Sequence, residues 1–401
     1  MTTASLPLEE AEARLLALVV PLPVEHVDVE SALGRYLAEP LLARRTQPGA
    51  HQSAMDGYAV AAGDSAGPWQ VIGESAAGHP FSGTVVPGDA VRISTGAMLP
   101  AGAEAVILQE DIQRDGDRIA LTGEAPSPPA KHIRCQGMDF HRGASLLATG
   151  TRIGPAQIAL AITAGHQHLA VRRRPRLAII DSGDELAMDY ESCGPHQVPA
   201  SNGAMLAAMA ASLPCEVERL GPVADRMDAI AAVLARAGDA DLIVTSGGVS
   251  VGDHDLIRPA LEAWGADIDF WRIAIKPGKP LLVARRGHQL VLGLPGNPVS
   301  SHVTAYFFML PLLRALLGAA SPLPRPFRAV LSGPLKPGGS RREFLRAHWD
   351  GSEIAGLSLQ DSGALSSLAA SNALIERAAN AAAAPIGETI TAYLLENGGI
   401  A

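Results

Sequence analysis

The sequence contains few cysteines and has no excess of positive charge. Its three cysteines, Cys135, Cys193 and Cys215, include no closely spaced pair, which excludes a cysteine-rich zinc knuckle or a Cys-x-x-Cys redox motif. The formal net charge is −9, whereas general binding to nucleic acid requires a broad basic face. We therefore expect no nucleic-acid partner.

A long uninterrupted apolar segment is also missing. The most apolar long stretch, residues 303–320, is interrupted by Pro311 and Arg314, so we predict a buried helix and no membrane partner. The acidic residues Glu9 and Glu10 precede the first apolar stretch, unlike the basic start of a signal peptide. Together with the cysteine pattern, these features predict a cytoplasmic protein.

The 401 residues exceed one typical core, and the composition, 47% hydrophobic and 18% charged, favours two to four folded domains. Helical patterns at 5–20 and 155–164 flank short strand-like runs between 47 and 139. From residue 177 strands and helices alternate, which predicts an α/β domain whose mixed sheet carries one hairpin. Glycine-rich, strand-like sequence follows the prolines at 322–326 and predicts a small β domain.

The most informative segment, residues 242–255, reads Leu-Ile-Val-Thr-Ser-Gly-Gly-Val-Ser-Val-Gly-Asp-His-Asp. An apolar strand leads into a glycine turn whose amides suit phosphate or another oxyanion. Asp253 and Asp255 then favour a divalent cation, because Mg²⁺ takes one or two protein carboxylates together with water and phosphate oxygens. The segment predicts half of a nucleotide or oxyanion site.

Two later turns are candidates for the other half of this site. They read Lys-Pro-Gly-Lys-Pro at 276–280 and Leu-Pro-Gly-Asn-Pro at 294–298, each at the end of a strand-like run. Loops at strand ends of an open α/β sheet gather into one crevice, which favours a single site. The alternative is that they are ordinary Pro-Gly turns with solvated lysines.

Several polar residues have simpler explanations than a ligand site. His166, His168 and His254 lack a third ligand at a useful spacing, so we expect no metal there. Asn202 and Asn297 precede helical stretches, and helix capping would explain both. Asn297 could in addition shape the ligand loop.

Six segments occur in an order that resembles one known family. They are Ser-Ala-Met-Asp-Gly-Tyr-Ala at 53–59, Ser-Thr-Gly-Ala-Met-Leu-Pro-Ala-Gly-Ala-Glu-Ala-Val at 94–106, Ile-Arg-Cys-Gln-Gly-Met-Asp at 133–139, Ser-Gly-Gly-Val-Ser-Val-Gly at 246–252, and the two proline-glycine turns. The pattern is similar to the MoeA family of molybdopterin molybdenumtransferases, which is itself similar to the E domain of gephyrin. The resemblance covers nearly the whole chain.

The resemblance implies a multidomain α/β fold in four parts. These are an elongated helical N-terminal domain (1–46 and 140–172), an inserted β domain (47–139), a three-layer α/β domain with a mixed sheet similar to the Mog adenylyltransferase (173–322), and a C-terminal β barrel (323–401). It also implies a homodimer whose active site lies between the α/β domain of one subunit and the inserted domain of the other. The implied partners are a Mog-type adenylyltransferase and the molybdoenzymes or chaperones that accept the cofactor.

The implied reaction joins molybdate to adenylylated molybdopterin with release of AMP and with Mg²⁺ as helper. A cation there would neutralise phosphate charge. The expected metal ligands or bases are carboxylates at strand ends: Asp184, Glu185, Asp225 and Asp255. The expected substrate contacts are Arg134, Ser246, Gly247, Gly248, Ser250, Lys276, Lys279, Pro295, Asn297, Arg346 and Ser362. No family motif supports Asp253.

Four of the implied site residues belong to the first three motifs and are expected on the partner's side of the site. Asp56, Thr95 and Asp139 are expected in catalysis, and Arg134 in substrate binding. Three residues keep alternative explanations: Asp56 could organise its own turn, Asp225 could cap a helix, and Arg346 could be a surface strand residue.

Three positions depart from the family pattern. Asp181 stands where the family has serine, adding a carboxylate that could raise a neighbouring pKa or tighten cation binding. Arg258 replaces a lysine, and Asp361 replaces a glycine beside Ser362. The departures leave open a paralogue with altered anion preference or weak activity. An adenylyltransferase similar to Mog and a noncatalytic scaffold resembling gephyrin are the alternative functions.

Overall fold

The computed structural model describes residues 5–64, 66–247 and 256–395, and these form the predicted multidomain α/β fold. The α-helices are Leu8–Ala17, Pro155–Thr163, Asn202–Ala210, Met227–Arg236, Ile257–Ala263, Pro298–Thr304, Leu310–Leu316 and Leu365–Ala369. Gly183, Gly247 and other glycines end several strands, so the chain reverses direction between helices and strands without a bulky side chain in the turn.

The N-terminal part is built from two separated stretches of chain. Strand Val24–Asp28 pairs antiparallel with His168–Arg172, and Leu41–Leu42 pairs with Ser145–Leu147. Helix Pro155–Thr163 begins at Pro155, whose fixed φ suits the first helical position. Apolar residues from both stretches share one small core, so the intervening residues form a separate unit.

That unit is a six-stranded sheet. Its strands, in spatial order, are Ala103–Leu108, Gly57–Ala61, Asp89–Ile93, Trp69–Ser75, Arg118–Leu121 and Ile112–Asp115. Two core clusters cover the two faces of the sheet, and every residue of Gly57–Ala61 is buried. Two short strands outside the sheet, Gln52–Ser53 and Ile133–Arg134, pair with each other. The short strands predicted between 47 and 139 are confirmed.

The α/β domain contains the predicted mixed sheet. Its strands, in spatial order, are Glu216–Val223, Arg176–Ser182, Leu242–Ser246, Gln289–Leu294, Pro280–Arg286 and Asp267–Arg272. The first four are parallel to one another, and Pro280–Arg286 runs antiparallel to both of its neighbours, Gln289–Leu294 and Asp267–Arg272. A hairpin joins Pro280–Arg286 to Gln289–Leu294, as predicted. Because the parallel strands end at one edge, their following loops lie side by side.

One continuous helix, Pro298–Leu316, crosses the largest core of the protein. Among the described residues it alone is long and apolar enough to cross a membrane, but 89% of its most apolar window is buried inside the fold. Its middle, Ala305–Met309, is a π-helical turn, an arrangement that widens the helix locally. The prediction of a buried helix is confirmed.

The C-terminal domain is a closed five-stranded barrel. Its strands, in order around the ring, are Arg342–Trp349, Glu353–Gly356, Phe327–Leu331, Thr389–Leu394 and Ala373–Arg377, and the last pairs with the first. Strand Ile275–Lys276 of the α/β domain pairs in parallel with Arg342–Trp349. The barrel is therefore joined to the α/β domain by backbone hydrogen bonds. A final short parallel pair joins Leu186–Ala187 to Val198–Pro199.

Candidate active site

A cleft of about 1430 Å³ lies where the four parallel strands end. Loops of the α/β domain form one side, and the barrel supplies the other. The predicted site residues that line it are Glu185, Asp225, Ser246, Gly247, Lys276, Lys279, Pro295, Asn297 and Ser362. The cleft therefore gathers residues from all three turns that the sequence singled out.

The glycine turn starts with a backbone conformation that favours glycine. Gly247 has a φ of +94°, and a Cβ atom there would lie 2.8 Å from the carbonyl oxygen of Ser182. Its N–H donates to the carbonyl of Leu294 at 3.2 Å, which holds two strand ends together. The remainder of the predicted turn, including Gly248, Ser250 and the two candidate cation ligands Asp253 and Asp255, lies outside the described residues.

Asn202 connects two of the cleft's loops. Its side-chain amide donates to the hydroxyl of Ser246 at 2.8 Å and to the carbonyl of Gly296 at 2.7 Å. It is the first residue of helix Asn202–Ala210 and lies after the N-cap position, so the capping interpretation is wrong. No local sequence signal indicates this role, because both partners are distant in the chain.

The carboxylates at the first two strand ends are linked to each other. The hydroxyl of Ser182 donates to Asp225 at 2.8 Å, and the N–H of Asp225 donates to the carboxylate of Asp184 at 3.0 Å. Helix Met227–Arg236 has Arg226 at its N-cap, so the capping alternative for Asp225 is wrong. Within the described part of the chain, no group of three or more His, Cys, Asp or Glu side chains is placed so that it could hold a metal ion.

Asp181, the first departure from the family pattern, lines the cleft but is almost fully buried. It is 4% exposed, and its carboxylate accepts from the N–H of Gly203 at 3.1 Å near the start of helix Asn202–Ala210. Burial raises the pKa of Asp181, while the positive charge of Arg219 and the Gly203 hydrogen bond oppose that rise. The added carboxylate therefore holds the start of helix Asn202–Ala210. The raised pKa is that of Asp181 itself, whereas the sequence suggests an effect on a neighbouring group.

The second departure, Arg258, lies on the protein surface. Its Nε is 3.1 Å from Glu262, one turn further along helix Ile257–Ala263, and both side chains are more than half exposed. Such a surface pair contributes little to stability.

The lysine turn lies against the barrel. Lys276 Nζ is 2.9 Å from Glu343, whose side chain is 9% exposed, whereas the lysine itself is 56% exposed. Gly278 has a φ of +103°, and a Cβ atom there would meet the hydroxyl of Thr304 at 2.4 Å. Lys279 lines the cleft and is exposed. The sequence did not predict Glu343, which balances part of the positive charge.

A barrel loop closes the cleft opposite the sheet. The side-chain amide of Asn297 donates to the hydroxyl of Ser362 at 3.2 Å, and the N–H of Val299 donates to the carbonyl of Ser362 at 3.0 Å. Asn297 is at the N-cap of its helix but forms no side-chain cap hydrogen bond, so capping does not explain it. The carboxylate of Asp361, the third departure, accepts from the N–H of Gly363 at 2.8 Å.

Arg346 supports this loop from inside the barrel. It is 0% exposed, which contradicts the surface-residue alternative. Its guanidinium donates to Ser367 at 3.2 Å and to the carbonyls of Leu359 and Asp361, each at 2.9 Å. It does not line the cleft. The described contacts therefore make Arg346 a positioning residue for the loop, and they differ from the direct anion contact that the resemblance implied.

The four residues expected from the partner's side lie on the inserted domain, away from the cleft of their own chain. The carboxylate of Asp56 accepts from the N–H of Thr95 at 2.7 Å, a bond that lowers the pKa of Asp56. Asp56 thus connects two motifs rather than only organising its own turn. Arg134 pairs with Gln52 in the short strands, the N–H of Asp139 donates to Gln47 at 3.1 Å, and both side chains are exposed.

Known proteins match the chain along its whole length. Residues 6–165 match the MoeA N-terminal region (domain I and II), 178–315 a probable molybdopterin binding domain, and 328–395 the MoeA C-terminal region (domain IV). Molybdopterin molybdenumtransferase of Haemophilus influenzae is 34% identical over 96% of this chain and 98% of its own length. The corresponding protein of Bacillus subtilis is 32% identical over 98% of this chain and 95% of its own length.

Solved structures agree with the sequence relatives. The molybdopterin biosynthesis MoeA protein of Pyrococcus horikoshii OT3 superposes with a TM-score of 0.84 at 27% identity, covering 98% of this chain and 100% of that protein. A second structure of a MoeA protein from a Pyrococcus species has a TM-score of 0.79 at 29% identity and covers 98% of this chain and 99% of that one.

Proposed function

Because the chain belongs to the MoeA family of molybdopterin molybdenumtransferases, enzymes of molybdenum cofactor biosynthesis, we propose that it transfers molybdate to adenylylated molybdopterin with release of AMP. One observation carries this proposal. The Ser246–Gly247 turn, the lysine turn and the barrel loop with Ser362 all line a single cleft. A single cleft therefore holds hydrogen-bond donors suited to two separate anions.

The donor types in the cleft match those two anions. Molybdate is a tetrahedral dianion, which fixed N–H, O–H and ammonium donors bind through charge-assisted hydrogen bonds. Lys276 and Lys279 supply the ammonium groups, and Ser362 a hydroxyl. The N–H groups of the glycine turn suit the phosphates of the adenylylated pterin. We assign molybdate to the lysine side and the phosphates to the glycine side.

The carboxylates of the cleft fit a magnesium ion. Glu185 and Asp225 both line it, and Mg²⁺ needs only one or two protein carboxylates when phosphate oxygens and water complete its shell. The lack of a three-residue cage among the described residues is therefore compatible with Mg²⁺. We propose Glu185 and Asp225, with Asp255, as the residues that hold it, and Asp184 as support for Asp225. The ion would neutralise phosphate charge.

We further propose that the protein is a homodimer whose partner subunit completes the cleft. The residues that line the cleft all lie between Asp181 and Leu365, so Asp56, Thr95, Arg134 and Asp139 of the same chain do not reach it. The same three motifs expose the apolar side chains of Met55, Met98 and Met138 by 41%, 45% and 63%. Large apolar side chains exposed in all three motifs are consistent with a protein contact on this domain. A Mog-type adenylyltransferase would supply the substrate, and a molybdoenzyme or chaperone would accept the product.

A reconstitution experiment tests the proposed reaction. The purified full chain is incubated with adenylylated molybdopterin and Mg²⁺, and AMP release is followed before and after molybdate is added. We expect molybdate to trigger AMP release and the product to activate an apo-molybdoenzyme. Equal rates of AMP release with and without molybdate would overturn the proposal. Synthesis of adenylylated molybdopterin from ATP would favour the adenylyltransferase alternative.

A further inference from the structure

A second cavity, of about 310 Å³, lies away from the cleft, where three parts of the chain meet. Tyr36 and Arg152 come from the N-terminal part, Arg314 from the end of the long helix, and Arg325 from the segment leading into the barrel. The N–H of Ala320 donates to the carbonyl of Gly150 at 3.2 Å, which holds two of these parts together. We name this cavity the junction pocket.

The junction pocket is strongly positive. Three arginines line it, and none of the described residues that line it is acidic. Arg314 is 5% exposed, and its Nη1 donates to the carbonyl of Pro322 at 3.0 Å. Burial lowers the pKa of Arg314, Tyr36 and Tyr306 oppose that shift, and the nearby charge of Arg152 adds to it. Guanidinium groups gathered in this way repel one another, so an anion between them would be stabilising.

Donors in the pocket are left without a partner. The Nε of Arg152 is buried and has no hydrogen-bond partner. Across the described ranges, neither Arg152 nor Arg325 forms a side-chain hydrogen bond or an ion pair with another residue. The hydroxyl of Tyr36 also forms no hydrogen bond within the described residues, and it is accessible from the pocket, so Arg152 Nε is the buried donor here. A buried donor without a partner is costly, which favours an oxygen-rich ligand.

We propose that the junction pocket binds a tetrahedral oxyanion, either free or as the phosphoryl group of a small metabolite. Arg152 and Arg325 would each donate to its oxygens, since a guanidinium presents several N–H groups in a planar fork. Arg314 would add positive charge from the pocket's inner wall. The volume exceeds that of a bare phosphate, and Leu213 and Leu323 provide apolar walls for an attached organic group.

Equilibrium dialysis of the full chain with inorganic phosphate tests this proposal, alongside molybdate and AMP as separate probes. We expect Arg325→Gln to weaken phosphate binding about tenfold and Arg152→Gln with Arg325→Gln about a hundredfold, because each charge-assisted bond is lost. The control is Arg285→Gln, which removes an exposed arginine that lines neither cavity. It should leave phosphate binding unchanged. Thermal unfolding without phosphate checks the fold, and Arg325→Gln alone suffices should the double variant fail to fold.

The results separate this pocket from the cleft. Phosphate binding that survives Lys279→Gln but falls with the arginine changes supports the proposal. If AMP binds the junction pocket more tightly than phosphate does, the ligand is a phosphoryl group attached to an organic body. If phosphate or molybdate binds more tightly than AMP, the ligand is a free oxyanion. Equal phosphate affinity of the arginine variants and the unchanged protein would overturn it, as would binding lost only with Lys279→Gln.

Discussion

Asn202 donates one hydrogen bond of 2.8 Å to Ser246 and a second of 2.7 Å to the carbonyl of Gly296. One side chain at the start of a helix thus fixes the spacing between the glycine turn and the turn that carries Asn297. The cleft is shaped by this amide as well as by the residues expected to contact substrate.

Replacing Asn202 with alanine should disturb both loops at once. We expect Asn202→Ala to lower the free energy of unfolding by about 1–2 kcal/mol, because two hydrogen bonds are lost, of which the one to Ser246 is partly buried and the one to Gly296 is exposed. Molybdate-dependent AMP release should fall at least tenfold, since the loops lose their spacing. Gln113→Ala is the control, because it removes an exposed amide of the inserted domain that lines neither cavity. Equal activity of the two variants would show that Asn202 does not shape the site.

The Lys276–Glu343 pair predicts opposite effects of two substitutions. Lys276→Gln should raise the KM for molybdate about tenfold, because an ammonium donor is lost. Glu343→Gln should lower that KM, because the lysine no longer shares its charge with a carboxylate 2.9 Å away. Steady-state kinetics at several molybdate concentrations measures both. A rise in KM with Glu343→Gln would mean that the carboxylate positions the lysine rather than competing with the anion.

Asp225 should govern the magnesium requirement. Asp225→Asn retains the shape and can still accept from Ser182, but it removes the negative charge. We expect the Mg²⁺ concentration for half-maximal AMP release to rise at least tenfold. Asp228→Asn removes an exposed carboxylate that pairs with Arg226 and serves as control. An unchanged magnesium dependence in Asp225→Asn would remove Asp225 from the proposed ligand set.

Glu12 predicts a loss of stability with rising pH. Burial raises its pKa from 4.5 to about 8, and the negative charge of Glu9 adds to the rise while Arg342 opposes it. Between those values the unfolded carboxyl is ionised and the folded one is protonated, so the free energy of unfolding falls as the pH rises. Over this pH range the free energy of unfolding falls by at most about 5 kcal/mol.

Glu12→Gln should remove this pH dependence. Its unfolding midpoint should match that of the unchanged protein near pH 5 and exceed it near pH 9. The exposed Glu10, which pairs with Arg14, gives the control Glu10→Gln. Thermal unfolding across this range measures the difference. If the difference in unfolding midpoint between Glu12→Gln and the unchanged protein does not grow with pH, the raised pKa of Glu12 is contradicted.

Much of the architecture follows from local pattern. Continuous apolar runs bounded by glycine and proline predict the strands of the mixed sheet, because strands buried on both faces, such as Leu242–Ser246, leave no face for polar residues. The motif order predicts which turns share the cleft. Asn202 and Arg346 could not be interpreted in this way, because their partners depend on how distant segments pack. Local signals favoured a cap for Asn202, whereas for Arg346 the resemblance implied an anion contact and a surface strand residue was the alternative.

The parallel pairing of Ile275–Lys276 with Arg342–Trp349 also constrains how ligands enter and leave. Widening the cleft along this side would break main-chain hydrogen bonds and separate Lys276 from Glu343. We therefore expect this side of the cleft not to open. Substrate entry and product exit would then use the other rim, where Val198 and Pro199 are exposed.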